Sequence, residues 1–233
     1  MTATIYITIH IIMISSARGT EAERSARPGA AGRPRDPEID RAVFDAALNL
    51  LDQVGYGQLS LEAIARRASV SRPSLYRRWP SKAAVVVAAL AKVAGTDPAP
   101  DTGSLRGDLT ALASTMAEMY NSGFARRVVP GLLGDLGDQP DLAERFQEAY
   151  IRPRRASTKA ALARAVERGE IPPPADTEVV CDLLAGPPLL QAFVLDRHID
   201  AASVAHIVDA VVTWLAHGPD PGAVGPARRR RRP

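Results

Sequence analysis

Between Ser60 and Lys82 the chain reads SLEAIARRASVSRPSLYRRWPSK, a stretch suited to meeting a polyanion. It carries five arginines and one lysine, with Glu62 as its only acid. On a helix beginning near Ser71, the residues Arg72, Ser74, Tyr76 and Arg77 fall on the outer face. An arginine at the start of such a helix can grip guanine O6 and N7 with two hydrogen bonds, so Arg72 is the best candidate for reading a base edge. Tyr76, Arg77 and Lys82 suit phosphate oxygens, which position a protein on a duplex without reporting its sequence. Ser60 marks a helix N-terminus whose unpaired N–H groups can also hold a phosphate. Ser71, Pro73 and Ser74 complete the first turn of the same surface, and Arg33 and Arg35 lie just ahead of the first helix, where they could follow the duplex.

These side chains need rigid support, and the apolar pattern supplies it as helices. The first helix is expected from Asp36, with Pro37 at its first position and Glu38 where an acid suits the helix dipole. Ile39, Val43, Ala46, Leu50 and Val54 recur at helical spacing, and Gly55-Tyr56-Gly57 ends the helix in a turn. Ser60 caps a second helix, apolar at Leu61, Ile64, Ala65 and Ala68. Ser69-Val70-Ser71 leaves room only for a tight turn. Ser71 caps the third helix, Pro80 closes it, and Ser81 caps a fourth from Lys82 to Ala94. Two helices joined by three residues are the skeleton of a helix-turn-helix, with Ile64, Ala65, Ala68, Val70 and Leu75 inside.

Downstream the helical period persists. Leu105, Leu109, Leu112, Met116, Met119 and Tyr120 form one stripe, a shorter segment runs from Phe124 to about Leu136, and Asp141–Gly169 is long, with Pro153 inside it. After Ile171-Pro-Pro-Pro174 come Thr177–Arg197, with a break expected at Gly186-Pro187-Pro188, and Ala201–His217. No strand pattern follows residue 14. The expected fold is therefore all-α, with about nine helices. Residues 1–35 read as a disordered basic extension, 36–95 as the helix-turn-helix domain, 96–218 as a second helical domain and 219–233 as an Arg-rich tail.

Composition narrows the function. Of 233 residues, 46% are hydrophobic and only 5% aromatic, which gives a core of Ala, Leu and Val. The net charge of +3 is uneven: residues 33–95 hold ten basic and six acidic side chains, and residues 96–218 hold eleven and seventeen. A basic front on an acidic body points to a polyanionic partner at one end. A single cysteine, Cys181, excludes an internal disulfide and reads as a buried packing residue in a reducing cytoplasm. No apolar run reaches the roughly 18 residues of a membrane span, so no membrane partner is expected. Ile5–Ile14 lacks the preceding positive charge of a secretory signal, although Ser15-Ser16-Ala17 resembles a cleavage site. It is expected to be an extension ahead of a start at Met13. His10, His198, His206 and His217 show no zinc spacing, and Asp196, His198 and Asp200 sit at a helix end; no metal, cofactor or catalytic residue is expected. A basic front also allows a helical ligand-binding or enzymatic protein that docks on a membrane surface or an acidic partner. Salt-dependent binding to random duplex DNA separates the two readings.

From Asp36 to Ala94 the chain resembles the N-terminal domain of TetR-family transcriptional repressors. Ile64-Ala65, Ala68, Val70-Ser71-Arg72, Ser74-Leu75-Tyr76 and Pro80-Ser81-Lys82 carry the resemblance. Pro73 and Ser74 stand where the family often has Gly and Thr, and Arg78-Trp79 where it usually has an aromatic pair ending in Phe. The resemblance implies a cytoplasmic homodimer that binds a palindromic operator in double-stranded DNA and is released by a small-molecule effector. It implies that residues 96–218 bind the ligand and dimerise. The large side chains available to wall a pocket are Met116, Met119, Tyr120, Phe124, Leu133, Phe146 and Tyr150. Arg126-Arg127 and Arg152, Arg154 and Arg155 could hold an acidic ligand. The last helix pair would form the dimer interface through Leu183, Leu184, Leu190, Phe193, Val194, Val208, Val211, Val212 and Leu215.

Overall fold

The computed structural model describes residues 37–93, 99–173 and 176–217. The extension with Arg33 and Arg35, the segment Ile5–Ile14 and the Arg-rich tail lie outside the described residues. Among these the chain forms helices α1 (Pro37–Gln58), α2 (Leu61–Arg67), α3 (Arg72–Arg78), α4 (Lys82–Val93), α5 (Leu105–Asn121), α6 (Gly123–Asp138), α7 (Pro140–Phe146), α8 (Arg152–Glu167), α9 (Thr177–Phe193) and α10 (Ala201–His217). A π-helical turn, Gln147–Ile151, joins α7 to α8. Counted as one run, these make the nine helices expected. The π turn has a local cause: Pro153 has no N–H to donate back along the helix, so the register loosens just before it.

Two compact units emerge, one reaching Pro98 and including Arg127–Arg154, the other comprising Ala99–Arg126 and the chain from Arg155 on. The first unit thus takes in a segment beyond the Gly95–Gly103 linker as well as the helix-turn-helix. Its core holds Val43, Ala47, Leu51, Ile64, Leu75, Val85 and Val86, none with any exposed surface. Gly55 interrupts α1 as expected, its backbone at φ 73° and ψ 177° being non-helical. The helix proper ends there, and one further turn carries Tyr56 inward.

The second unit is built on α5, α9 and α10, whose buried faces meet through Leu109, Val180, Leu184, Val208 and Val211. At its edge the fully buried Asp108 accepts hydrogen bonds from the Thr102 backbone and hydroxyl, 2.6 and 2.8 Å away, and from Arg164 at 3.0 Å. Burial pushes this carboxyl upward, but the Thr102 donors and the guanidinium outweigh it and hold the group below the usual range. α9 continues unbroken past Gly186-Pro187-Pro188, contrary to the expected break. The prolines leave the carbonyls of Leu183 and Leu184 without helical donors, yet Pro188 is itself buried, and packing holds the segment helical.

Candidate nucleic-acid interface

The helix-turn-helix is assembled from local signals. The Ser60 hydroxyl accepts from the Ala63 N–H at 3.1 Å and caps α2; an Ala there is a cap lost. The turn passes through Ser69 at φ 55°, a left-handed conformation rare outside glycine. Backbone bonds from Val70 to Ala65 and from Ala68 to Ile64 close it. Ser71 precedes α3 in an extended conformation, but its side chain makes no capping bond, which corrects the expectation for that hydroxyl. Pro73 sits in the first turn of α3, where no N–H is needed. Ser81 caps α4 through the Ala84 N–H at 3.1 Å.

Inside this frame Leu75 is fully buried, and Trp79 packs edge-on against Phe44 at 5.6 Å. Arg78, counted with the outer arginines by composition, instead pairs with Asp40 and pins the end of α3 to α1. Outside, Arg66, Arg67, Arg72, Tyr76 and Arg77 are exposed, and Ser74 is half-buried. Arg66, Arg72 and Arg77 make no hydrogen bond among the described residues. Arg72 and Arg77 are free donors on the exposed side of α3, with Arg72 at its N-terminal end, and Arg66 is a free donor in the last turn of α2. Arg66, in the last turn of α2 beside the tight turn, was not among the expected contacts.

Lys82 is half-occupied. Its ammonium donates to the Tyr56 carbonyl at 2.8 Å and lies 4.5 Å from the centre of the Tyr56 ring. The Tyr56 hydroxyl in turn donates to Asp135 at 2.5 Å. Burial first, and then the Asp135 carboxylate, push that phenol far above its usual range, so it stays a donor. Gly131 permits the approach, since a Cβ there would stand 2.6 Å from the Tyr56 ring. Arg127 adds a second tie, to the Asp52 carbonyl at 2.9 Å and its carboxylate at 3.0 Å. A base of α6 side chains therefore holds the end of α1, and through it Lys82.

Glu62, unassigned by sequence reasoning beyond its sign, accepts a hydrogen bond from the Tyr76 hydroxyl. The two are 14 residues apart and meet only because the turn folds α3 back across α2, a juxtaposition no local pattern reveals.

The expected pocket residues divide. Met116, Met119, Tyr120 and Phe124 are half-buried in the second unit, where Tyr120 meets Phe193 edge-on at 5.0 Å. Leu133, Phe146 and Tyr150 belong to the first unit; Leu133 is 42% exposed, and Phe146 stacks on Tyr150 at 4.9 Å. A cavity of about 330 Å³ lies in the first unit, walled by Phe44, Trp79, Val87 and Leu142 with Arg78 and Arg145 at its polar side. The basic clusters are neutralised: Arg126 pairs with Asp196, Arg127 with Asp52, Arg152 with Glu148 and Arg155 with Glu178 and Asp182, while Arg154 stacks over Tyr150.

Of the expected dimer contacts, Leu184, Val208, Val211 and Leu215 are corrected: each is at most 4% exposed and fills the core of its own unit. Phe193 and Val212 are half-buried against the same core. Leu183, Leu190 and Val194 do face outward, joined by Val179. These four recur every three to four residues or their multiples, so α9 carries one buried and one open apolar face. Cys181 lies on the buried side, where burial pushes its thiol upward. Asp200 caps α10 through the Ser203 N–H at 2.8 Å, and no cluster able to hold a metal occurs among the described residues. No described helix is long and apolar enough to cross a membrane.

Comparison with known proteins agrees with this geometry. Residues 43–89 match the family described as bacterial regulatory proteins, tetR family, and residues 99–211 the tetracyclin repressor-like C-terminal domain. The HTH-type transcriptional regulator YdeS of Bacillus subtilis is 32% identical over 179 residues, covering 76% of this chain and 89% of YdeS. The DNA-binding transcriptional repressor TetR of Mycobacteroides abscessus is 30% identical over 184 residues, covering 78% of this chain and 94% of that protein. The crystal structure of a TetR family transcription regulator superposes with a TM-score of 0.62 at 32% identity, over 79% of this chain and all of that one. With its helix-turn-helix, its all-helical second unit and these relatives, the chain belongs to the TetR family of DNA-binding transcriptional regulators.

Proposed function

We propose that this regulator is a cytoplasmic homodimeric repressor that grips a palindromic operator with two copies of α3 and is released by a small-molecule effector. The observation that carries the DNA assignment is the pair of exposed, unbonded arginines Arg72 and Arg77 on α3, a helix whose inner side, Leu75, is fully buried. Arg72 reads a base edge, Ser74 supports it, and Tyr76, Arg77 and Lys82 take phosphates. Dimerisation is supported by the open apolar face of α9, where Val194 is 68% and Leu190 48% exposed. A face of this kind is a stable surface only when covered. The repressor reading follows the Mycobacteroides abscessus relative, which is named a repressor. The effector must bind the DNA-incompetent arrangement more tightly than the competent one, or it shifts nothing.

Replacing both Leu183 and Leu190 by aspartate is expected to convert the dimer to a monomer in sedimentation velocity. It should lower affinity for a palindromic site by about a hundredfold, about 2.7 kcal/mol, because each half-site is then bound singly. Retention of the dimer with both aspartates in place places the interface elsewhere.

A further inference from the structure

One side chain assigned to DNA, Tyr76, is tied to a carboxylate of the same helix-turn-helix. The Tyr76 hydroxyl donates to Glu62. The positive charge of Arg72, the first residue of α3, acts on the same carboxylate. The Tyr76 hydroxyl first, and the Arg72 charge less strongly, hold the Glu62 carboxyl below its usual range. A carboxylate that accepts from a tyrosine hydroxyl in the field of an arginine has surroundings like those of a bound phosphate oxygen. It is also the only acid between Ser60 and Lys82, on the face that must approach a polyanion.

We infer that Glu62 is an internal stand-in for a DNA phosphate: it holds Tyr76 in place in the free protein and must be displaced by a backbone phosphate on binding. The inference rests on α2 and α3 forming the DNA interface. Two consequences follow from charge and from competition. The charge repulsion between Glu62 and the duplex lowers affinity for every sequence alike, since phosphates are the same everywhere. Only a site that adds base contacts overcomes it, so Glu62 raises the ratio of specific to non-specific binding without touching a base. And the hydrogen bond Tyr76 gives a phosphate replaces one it already makes, so the hydroxyl's net contribution is concealed while Glu62 is present.

The test uses the full chain, fluorescence anisotropy over a salt series, a random-sequence duplex, and a duplex recovered from a random pool by the wild-type protein. Glu62→Gln is expected to bind the random duplex about three- to tenfold more tightly and to lose a similar factor in specificity ratio. Tyr76→Phe is expected to weaken binding by about threefold or less in the wild-type background and by about tenfold in the Glu62→Ala background. A role confined to orienting Tyr76 gives the opposite sign, since losing Glu62 then weakens binding. Arg77→Ala serves as the control. If Arg77→Ala weakens random-duplex binding and Glu62→Gln leaves it within twofold or weakens it, the stand-in role is wrong. If Glu62→Gln instead changes the preferred base at one position of the recovered site, Glu62 reads a base and the stand-in role is equally overturned. If Arg77→Ala has no effect, the interface itself lies elsewhere and the inference falls with it. Circular dichroism confirms that each variant retains its helices.

Discussion

Arg72→Ala is expected to lower affinity for the recovered duplex by about ten- to a hundredfold while changing affinity for a random duplex by no more than about threefold. The asymmetry follows from position. Arg72 is the first residue of α3, exposed, and unbonded among the described residues, so its guanidinium is available to a base edge. A bidentate grip on guanine discriminates by about 1–3 kcal/mol, which spans the about 1.4–2.7 kcal/mol of a ten- to hundredfold loss. The single charge lost contributes far less to non-specific binding. Competition binding with the two duplexes measures both quantities. Equal losses on the two would make Arg72 a phosphate contact and leave base reading to another residue.

Leu75→Ala is expected to cost about 2–5 kcal/mol in the stability of the first unit and to abolish specific binding at 37 °C. Leu75 has no exposed surface and is the one fully buried residue of α3, a helix of only seven residues. So short a helix is not stable alone; packing holds it. The remaining anchors, the Arg78–Asp40 pair and the contact of Trp79 with Phe44, secure only its C-terminal end. Removing Leu75 leaves a cavity under the N-terminal half, where Arg72 is carried. Urea unfolding followed by far-ultraviolet circular dichroism gives the cost. A loss below about 1 kcal/mol would mean the site collapses to fill the space, and α3 is less dependent on Leu75 than its burial indicates.

Most of the first unit is legible in the sequence because its cues are local. Ser60 and Ser81 cap the helices they were expected to cap, and the three-residue turn and the small Ala65 are where the pattern puts them. What escaped depends on contacts between distant residues. Arg78 differs from Arg77 only in being turned toward Asp40, 38 residues earlier. Lys82 meets Tyr56, and Tyr56 meets Asp135, across 26 and 79 residues. The last helix pair shows a second limit. Periodicity identifies α9 and α10 as strongly apolar but does not say which apolar face is the unit's own core, so Leu184, Val208, Val211 and Leu215 were read as interface. Pro187 and Pro188 misled for a related reason: propensity predicts a break, and tertiary packing overrides it.

The most direct test of duplex recognition by paired copies of α3 is hydroxyl-radical footprinting of the wild-type protein on the DNA it selects from a random pool. The expected result is an inverted repeat whose half-sites are protected on one face of the duplex, with centres about 34 Å, or about 10 base pairs, apart or a multiple of that. Selection without sequence enrichment, or protection of a single unrepeated patch, would contradict it.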